Sequence, residues 1–528
     1  MPTDGPQDTR VDRRAFLARM GALGAAAALG VPLPASAAPA RSRPRPIDPA
    51  FWTTGLPTGT PVSPADLTVH EAGALLRSGE LDPVELVDAC LQRIEAWDAR
   101  YLAFNHVNTD EARRRAAELG RVEPEGLLHG IPLAIKDNFY TRGMPTTANS
   151  WIFSDFVPDF DATAVARLQD AGGVVLGKTQ MGPLATTRAL TPDGQVTTVN
   201  AWTPDFPSVS PGGSSSGSAT AVAARMALSS IGTQTGGSIT VPAMAQGLTG
   251  LKPTMGRVSL RGVIPLTYSR DHVGPLARDA ADAAILLQAM AGPDAADPRT
   301  QGLPGVPDYL AAARAGETLR WPTRLGVLPG WTDAEGVRGE QRRAFLSEME
   351  AAGAELVEID PSERWEELSS GLFNAVRLPE RSEPFLEHLR NDVRLFGVTL
   401  NSWMQGLFLS GDELLKGQRA RYALLSLTLE EIFEGCDVVV QNGHVPFDMI
   451  GLPLITFPVG FRESEEGRRP EGILLGAPPF GEERLLSVAA AWQARTGHHR
   501  QQPLPPASGT GALERGRLDA EQVAERTE

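Results

Sequence analysis

Two runs of the chain join hydroxyl side chains to backbone that no Cβ obstructs: PGGSSSGS at Pro211–Ser218 and GTQTGGSIT at Gly232–Thr240. A serine hydroxyl can serve as nucleophile or proton relay, and successive backbone N–H groups can form a nest that holds an oxyanion. Gly and Ser are also the composition of a linker. The residues that follow argue against a linker. After Ser218 comes ATAVAARMAL, a strong helix former with an apolar face, and after Thr240 comes Val241-Pro242-Ala243-Met244, so both runs open ordered segments rather than a boundary.

A serine in such a nest needs a base. The chain has no SxxK, and no histidine is singled out by position. Lysine usage is the sharper signal: of 49 basic residues only four, Lys136, Lys178, Lys252 and Lys416, are lysine. Arginine cannot lose its proton in a protein, whereas a buried lysine can have its pKa lowered until it is a neutral base. Lys136 ends the apolar stretch GIPLAIK, which makes it the lysine to examine. An ion pair with Asp137, or a side chain snorkelling to the surface, is the alternative reading.

The elements that must position these groups alternate between strand and helix. Pro83–Ala96 reads as a helix, with Asp82 as its N-cap, Pro83 at the first helical position, and Val84, Leu86, Val87, Cys90, Leu91 and Ile94 as its apolar stripe. Thr163–Ala171 reads as a helix stopped by Gly172-Gly173, with Val174–Leu176 a short buried strand beyond. Ile131–Ile135, Cys436–Val440 and Leu454–Val459 read as further buried strands, and Ala280–Ala291 as a helix. Such interleaving over most of the chain points to one large α/β domain.

Composition narrows the function. Hydrophobic residues at 42% and charged residues at 21% are those of a soluble globular protein. A net charge of -15 argues against nucleic acid and against an anionic membrane surface. Small molecules or peptides remain as partners. Cys90 and Cys436 are the only cysteines and read as small buried apolar residues; with no HExxH in the chain, neither metal nor cofactor is expected. Residues 1–37 resemble a twin-arginine export signal: Asp12-Arg13-Arg14-Ala15-Phe16-Leu17, an apolar run over Met20–Leu33, and Ala35-Ser36-Ala37 as a small-residue cleavage pattern. The run is too short to span a bilayer, so export to the periplasm or exterior without a stable membrane anchor is the expectation. Residues 38–65 read as a Pro-rich extended lead-in, 66–500 as the main domain, and 501–528 as a polar tail.

Taken in order, GIPLAIKDN, PGGSSSGSA, GTQTGGSI, the stretch GLKPTMGRVSLRGVIPLTYSRDHVGPLARDAADAAILL and GLPLITFPVGF resemble the amidase signature family over roughly Asp66–Arg500. The resemblance implies a single α/β/α domain with a large mixed β-sheet covered by helices. It also implies a Ser-cisSer-Lys catalytic set, in which Ser238 is the nucleophile, Ser214 the cis-serine relay and Lys136 the base. Backbone N–H groups of Thr235, Gly236, Gly237 and Ser238 would form the oxyanion hole. Ser215, Ser216 and Asp271 would be structural, as would Lys178 and Lys252. The expected reaction is hydrolysis of a carboxamide C–N bond through an acyl-enzyme, releasing ammonia or an amine, by a monomer or homodimer. Among family members the exported context looks most like that of peptide amidases.

The chain departs from the family pattern at Gln234, where Asp is usual, at Thr240, where Arg is frequent, and at Gly182-Pro183, where a Ser-Glu pair is frequent. A neutral Gln and Thr are expected to suit the pocket less to a free carboxylate. Two alternatives stand beside the hydrolase. Gly213–Gly217 also satisfies GxSxG, which would make Ser215 an esterase nucleophile, although the prolines of WTPDFPSVSP deny it the strand such an elbow needs. The other is a non-hydrolytic or complex-dependent role like that of an amidotransferase A-type subunit.

Overall fold

Eleven strands form one mixed sheet in a computed structural model that describes residues 48–54, 56, 63–371 and 373–506. The strands are β1 (Phe104–Val107), β2 (Pro132–Lys136), β3 (Val174–Thr179), β4 (Ser229–Gln234), β5 (Thr249–Lys252), β6 (His272–Ala277), β7 (Thr323–Val327), β8 (Ala354–Glu358), β9 (Val438–Val440), β10 (Leu454–Arg462) and β11 (Arg469–Gly476). Their order is β1-β3-β2-β4-β6-β5-β10-β11-β9-β7-β8. Pairing is parallel for β3-β2-β4 and for β9-β7-β8, and antiparallel elsewhere. The twin-arginine motif and most of the C-terminal tail lie outside the described residues.

Central strands are buried along their whole length, which is why several read in sequence as continuous apolar runs rather than alternating ones. β4 is the exception in chemistry. Its sequence SSIGTQ carries little apolar signal, yet every residue is buried. Its hydroxyls meet their needs on neighbouring strands: Ser229 Oγ donates to Leu276 O (2.9 Å) and Ser230 Oγ to Ala134 O (2.7 Å).

The helices follow the apolar patterns. Pro83–Tyr101 runs one turn beyond the expected Ala96, with Asp82 Oδ1 accepting from Val84 N at 2.7 Å and the Leu86, Val87, Cys90, Leu91 and Ile94 stripe buried. Thr163–Asp170 and Ala280–Met290 fall where expected. Cys90 and Cys436 are free and buried, and burial pushes both thiols up to about 12. Part of the Pro-rich lead-in is anchored: Phe51 and Trp52 in the turn Pro49–Thr53 are buried, with the Arg77 guanidinium 3.7 Å over the Trp52 ring. Between β8 and β9 the chain is helical, and Phe385, Phe396 and Trp403 from this region pack against Ile264 and Leu266.

Candidate active site

Lys136 is the last residue of β2, and its side chain is completely buried. Its ammonium lies 2.8 Å from Ser214 Oγ and 2.8 Å from Thr233 Oγ1, with Thr233 O at 3.3 Å. Asn138 Nδ2 donates to the same Thr233 hydroxyl at 3.0 Å, fixing it from the other side. The ion pair with Asp137 does not form. That carboxylate faces Lys178 Nζ at 3.2 Å and also accepts from Thr147 and Asn105, so successive side chains serve different networks. Burial pushes the Lys136 ammonium down to about 7, and the more distant Asp271 carboxylate only partly opposes it.

Ser214 follows a cis peptide bond, Gly213–Ser214, as the resemblance implies. The two glycines ahead of it are required by close approach. Gly212 has φ +78°, and a Cβ there would stand 2.4 Å from Pro242 Cα; one on Gly213 would stand 2.5 Å from Thr187 O. Ser214 O accepts from Gly182 N at 3.1 Å, a backbone contact that ties this loop to the segment containing Gly182-Pro183. Ser215 is buried, its hydroxyl 3.5 Å from Thr233 O, and Ser216 Oγ donates to Gly212 O at 2.7 Å as the helix Ser216–Ala223 begins. Among the described residues no strand runs directly into this loop.

Ser238 lies in the turn that links β4 to the helix Thr240–Gln246, and at 7% exposure it keeps slight access to solvent. Ser238 O accepts from Ser215 N at 3.3 Å, which brings the two Gly-Ser runs together through backbone. Lys136 and Ser214 are in hydrogen-bond contact; among the described residues Ser238 Oγ makes no such contact with Ser214 Oγ. Asp271 accepts from the Thr235 hydroxyl, from Leu266 N (2.8 Å) and from Thr267 N (3.1 Å), and burial raises its carboxyl despite these donors.

The sequence reading missed Asp448. It sits in the short helix Val445–Ile450, completely buried, and accepts from Gly237 N (2.8 Å), Gln234 Nε2 (2.8 Å) and His444 Nδ1 (2.8 Å). Burial alone would raise this carboxyl; the His444 hydrogen bond, the Lys252 charge and the Gln234 amide hold it below the usual range. Two expectations change as a result. The Gly237 N–H is already committed to Asp448, so the expectation that it donates to an oxyanion does not fit this geometry. Gln234 and Thr240 do not line a pocket: both are buried, and Gln234 Oε1 accepts from Ile239 N and Thr240 N, each at 2.9 Å. They brace the loop instead. Nothing in the local sequence around Asp448 distinguishes it from a helix carboxylate. Thr233, by contrast, lies within the Gly-rich run already singled out.

Among the described residues no group of His, Cys, Asp or Glu could hold a metal ion, and no helix is long and apolar enough to cross a membrane. A large mixed sheet that presents this lysine and these serines belongs to an enzyme acting on C–N amide bonds. The family model described as Amidase matches residues 85–441, and the chain belongs to that family, the amidase signature family. The A-type subunit of glutamyl-tRNA(Gln) amidotransferase from Synechococcus sp. is 33% identical over 499 residues, which cover 83% of this chain and 98% of that protein. The X-ray structure of native peptide amidase from Stenotrophomonas maltophilia is similar at a TM-score of 0.70 and 33% identity, covering 85% of this chain and 100% of its own. An amidase family protein from Bacillus anthracis has a TM-score of 0.72 at 26% identity, covering 85% and 96%.

Proposed function

We propose that this chain hydrolyses a carboxamide through an acyl-enzyme on Ser238. Neutral Lys136 takes the Ser214 hydroxyl proton as Ser214 takes that of Ser238, and Ser238 Oγ attacks the amide carbonyl. The oxyanion formed is held by the backbone N–H groups of the Thr235–Ser238 turn that are not already committed. The relay returns the proton to the departing nitrogen as the C–N bond breaks, releasing ammonia or an amine. Water then attacks the acyl ester by the same relay, and the acid leaves. The observation that carries this reading is a completely buried lysine, without an ion pair among the described residues, 2.8 Å from a serine hydroxyl. Labelling with a fluorophosphonate followed by peptide mapping tests it: the adduct is expected on Ser238, and an adduct on Ser215 would replace this reading with the esterase one.

A second reading, the A-type component of an amidotransferase, has a specific observation in its favour. Relatives matched along nearly their whole length are amidotransferase components of this type, and they favour it over a free-standing hydrolase. The peptide amidase likeness and the net charge of -15, unsuited to a tRNA partner, support the free-standing enzyme. Ammonia release by the purified chain from peptide, aliphatic and aryl amides separates the two. Turnover without a partner supports the hydrolase; silence toward all three, relieved by a partner protein, supports the amidotransferase reading. Export through the twin-arginine segment is part of the same proposal.

A further inference from the structure

The imidazole of His444 stands between the buried carboxylate of Asp448 and the turn that carries Ser238. His444 is the residue just before the helix Val445–Ile450, one helical turn from Asp448, so the two side chains share a face. An ionised carboxylate can only accept, so His444 Nδ1, 2.8 Å from Asp448 Oδ2, carries the hydrogen. The opposite edge of the ring lies against the turn. A Cβ on Gly237 would stand 2.8 Å from His444 Nε2 and 3.0 Å from Cδ2, and the φ of +84° at this position is one that glycine adopts freely. Gly237 N donates to the same Asp448 Oδ2 at 2.8 Å. The three residues therefore close a circuit: the ring donates to the carboxylate from one edge and packs on the glycine with the other.

From Asp448 the hydrogen bonds continue past the nucleophile. Asp448 Oδ1 accepts from Gln234 Nε2, and Gln234 Oε1 accepts from Ile239 N and Thr240 N. One chain of side chains thus grips the residue before Ser238 and the two after it. Asp448, Gln234 and Thr240 are buried, whereas the His444 side chain is 27% exposed and forms the outer end of the chain. We propose that His444 is a positioning residue for the hydrolysis: by donating to Asp448 Oδ2 and closing that oxygen off from water, it fixes the turn on both sides of Ser238. Without this donor, water enters where the ring stood and competes with the Gly237 N–H for the carboxylate, because a buried charge replaces a lost partner wherever solvent can reach it. The turn then loses the fixed geometry on which attack by Ser238 and stabilisation of the oxyanion depend. The assignment rests on the hydrolase reading, and in it His444 acts through Asp448 rather than on the substrate.

The test separates the N–H of His444 from its bulk. Asparagine and leucine branch alike at Cγ, but only asparagine offers an N–H where Nδ1 stands. With N-acetylphenylalaninamide as substrate, kcat for ammonia release is expected to fall about 10- to 100-fold in His444→Leu while KM changes less than about 3-fold, and most of the loss should be recovered in His444→Asn. Equal losses in the two variants, or a loss confined to KM, would overturn the role. Hydrogen exchange of the folded chain, read by mass spectrometry on the peptide covering Thr235–Thr240, keeps this question apart from the hydrolase reading. Exchange there should quicken in His444→Leu and stay near the wild-type rate in His444→Asn, with β7 and β8 unchanged in both, and that result supports the role even if no amide turns over. Exchange as slow in His444→Leu as in wild type, or equally fast in both variants, overturns it even if amides are hydrolysed. Should His444→Leu fail to fold, His444→Ala takes its place in both comparisons.

Discussion

At Lys136 the decisive quantity is the proton, because the same buried position can hold either a structural cation or a base. Lys136→Arg keeps the charge but cannot deprotonate, so ammonia release should fall as far as in Lys136→Ala, by about 10²- to 10⁴-fold or more, since members of one relay do not act additively. Substantial activity in a folded arginine variant would make the lysine structural. The pH profile gives the sign independently. With its pKa lowered to about 7, Lys136 is protonated below that value and neutral above it, so kcat/KM should rise with pH along an acidic limb near neutrality. A limb that appears only near the free-lysine value of about 10.4 would remove Lys136 from the role. The sequence made this residue legible because lysine is scarce in the chain; it could not say that Asp137 would turn instead to Lys178.

At the scale of elements, the turn carrying Ser238 is held from two sides by one amide and one carboxylate. Gln234 at the end of β4 spends its carbonyl oxygen on the turn's own N–H groups and its NH2 on Asp448, which comes from a helix more than two hundred residues away. Gln234→Glu would set two buried carboxylates against each other and should cost about 3 to 5 kcal/mol at neutral pH, read by chemical denaturation. Adding Asp448→Asn restores a donor opposite the new carboxylate and should recover much of the loss. Additive destabilisation in the double variant would mean that the two side chains do not form a pair. Asp448→Ala alone should leave Gly237 N–H and the Gln234 amide without their acceptor and lower both the melting temperature and kcat. Strands with apolar runs could be read in advance, whereas β4 could not, because its hydroxyls are satisfied by strands on either side.

For the molecule as a whole, the export reading makes a prediction separable from catalysis. Changing Arg13→Lys and Arg14→Lys together should retain the chain in the cytoplasm in folded, active form, as judged by fractionation and ammonia release. Continued export would show that this arginine pair is not the address. The helical region between β8 and β9 is the part whose role was least readable in sequence. It supplies the Phe385, Phe396 and Trp403 rings that pack against Ile264 and Leu266, and nothing in helical periodicity marks which remote residues those rings will cover.

The sequence by itself determined the chemistry available: hydroxyls and unobstructed N–H groups in two Gly-rich runs, one lysine at the end of an apolar strand, and the ordered motifs of a family. Those features are local, set by side-chain type and by the backbone freedom of glycine, so they survive reading along one dimension. Only the tertiary structure decided which partner each charge would take. Asp137 went to Lys178, Gly237 N–H went to Asp448, and Lys136 was left to Ser214 and Thr233. Ion pairing and desolvation depend on distances between strands and helices remote in the chain, and those distances exist only once the sheet has assembled.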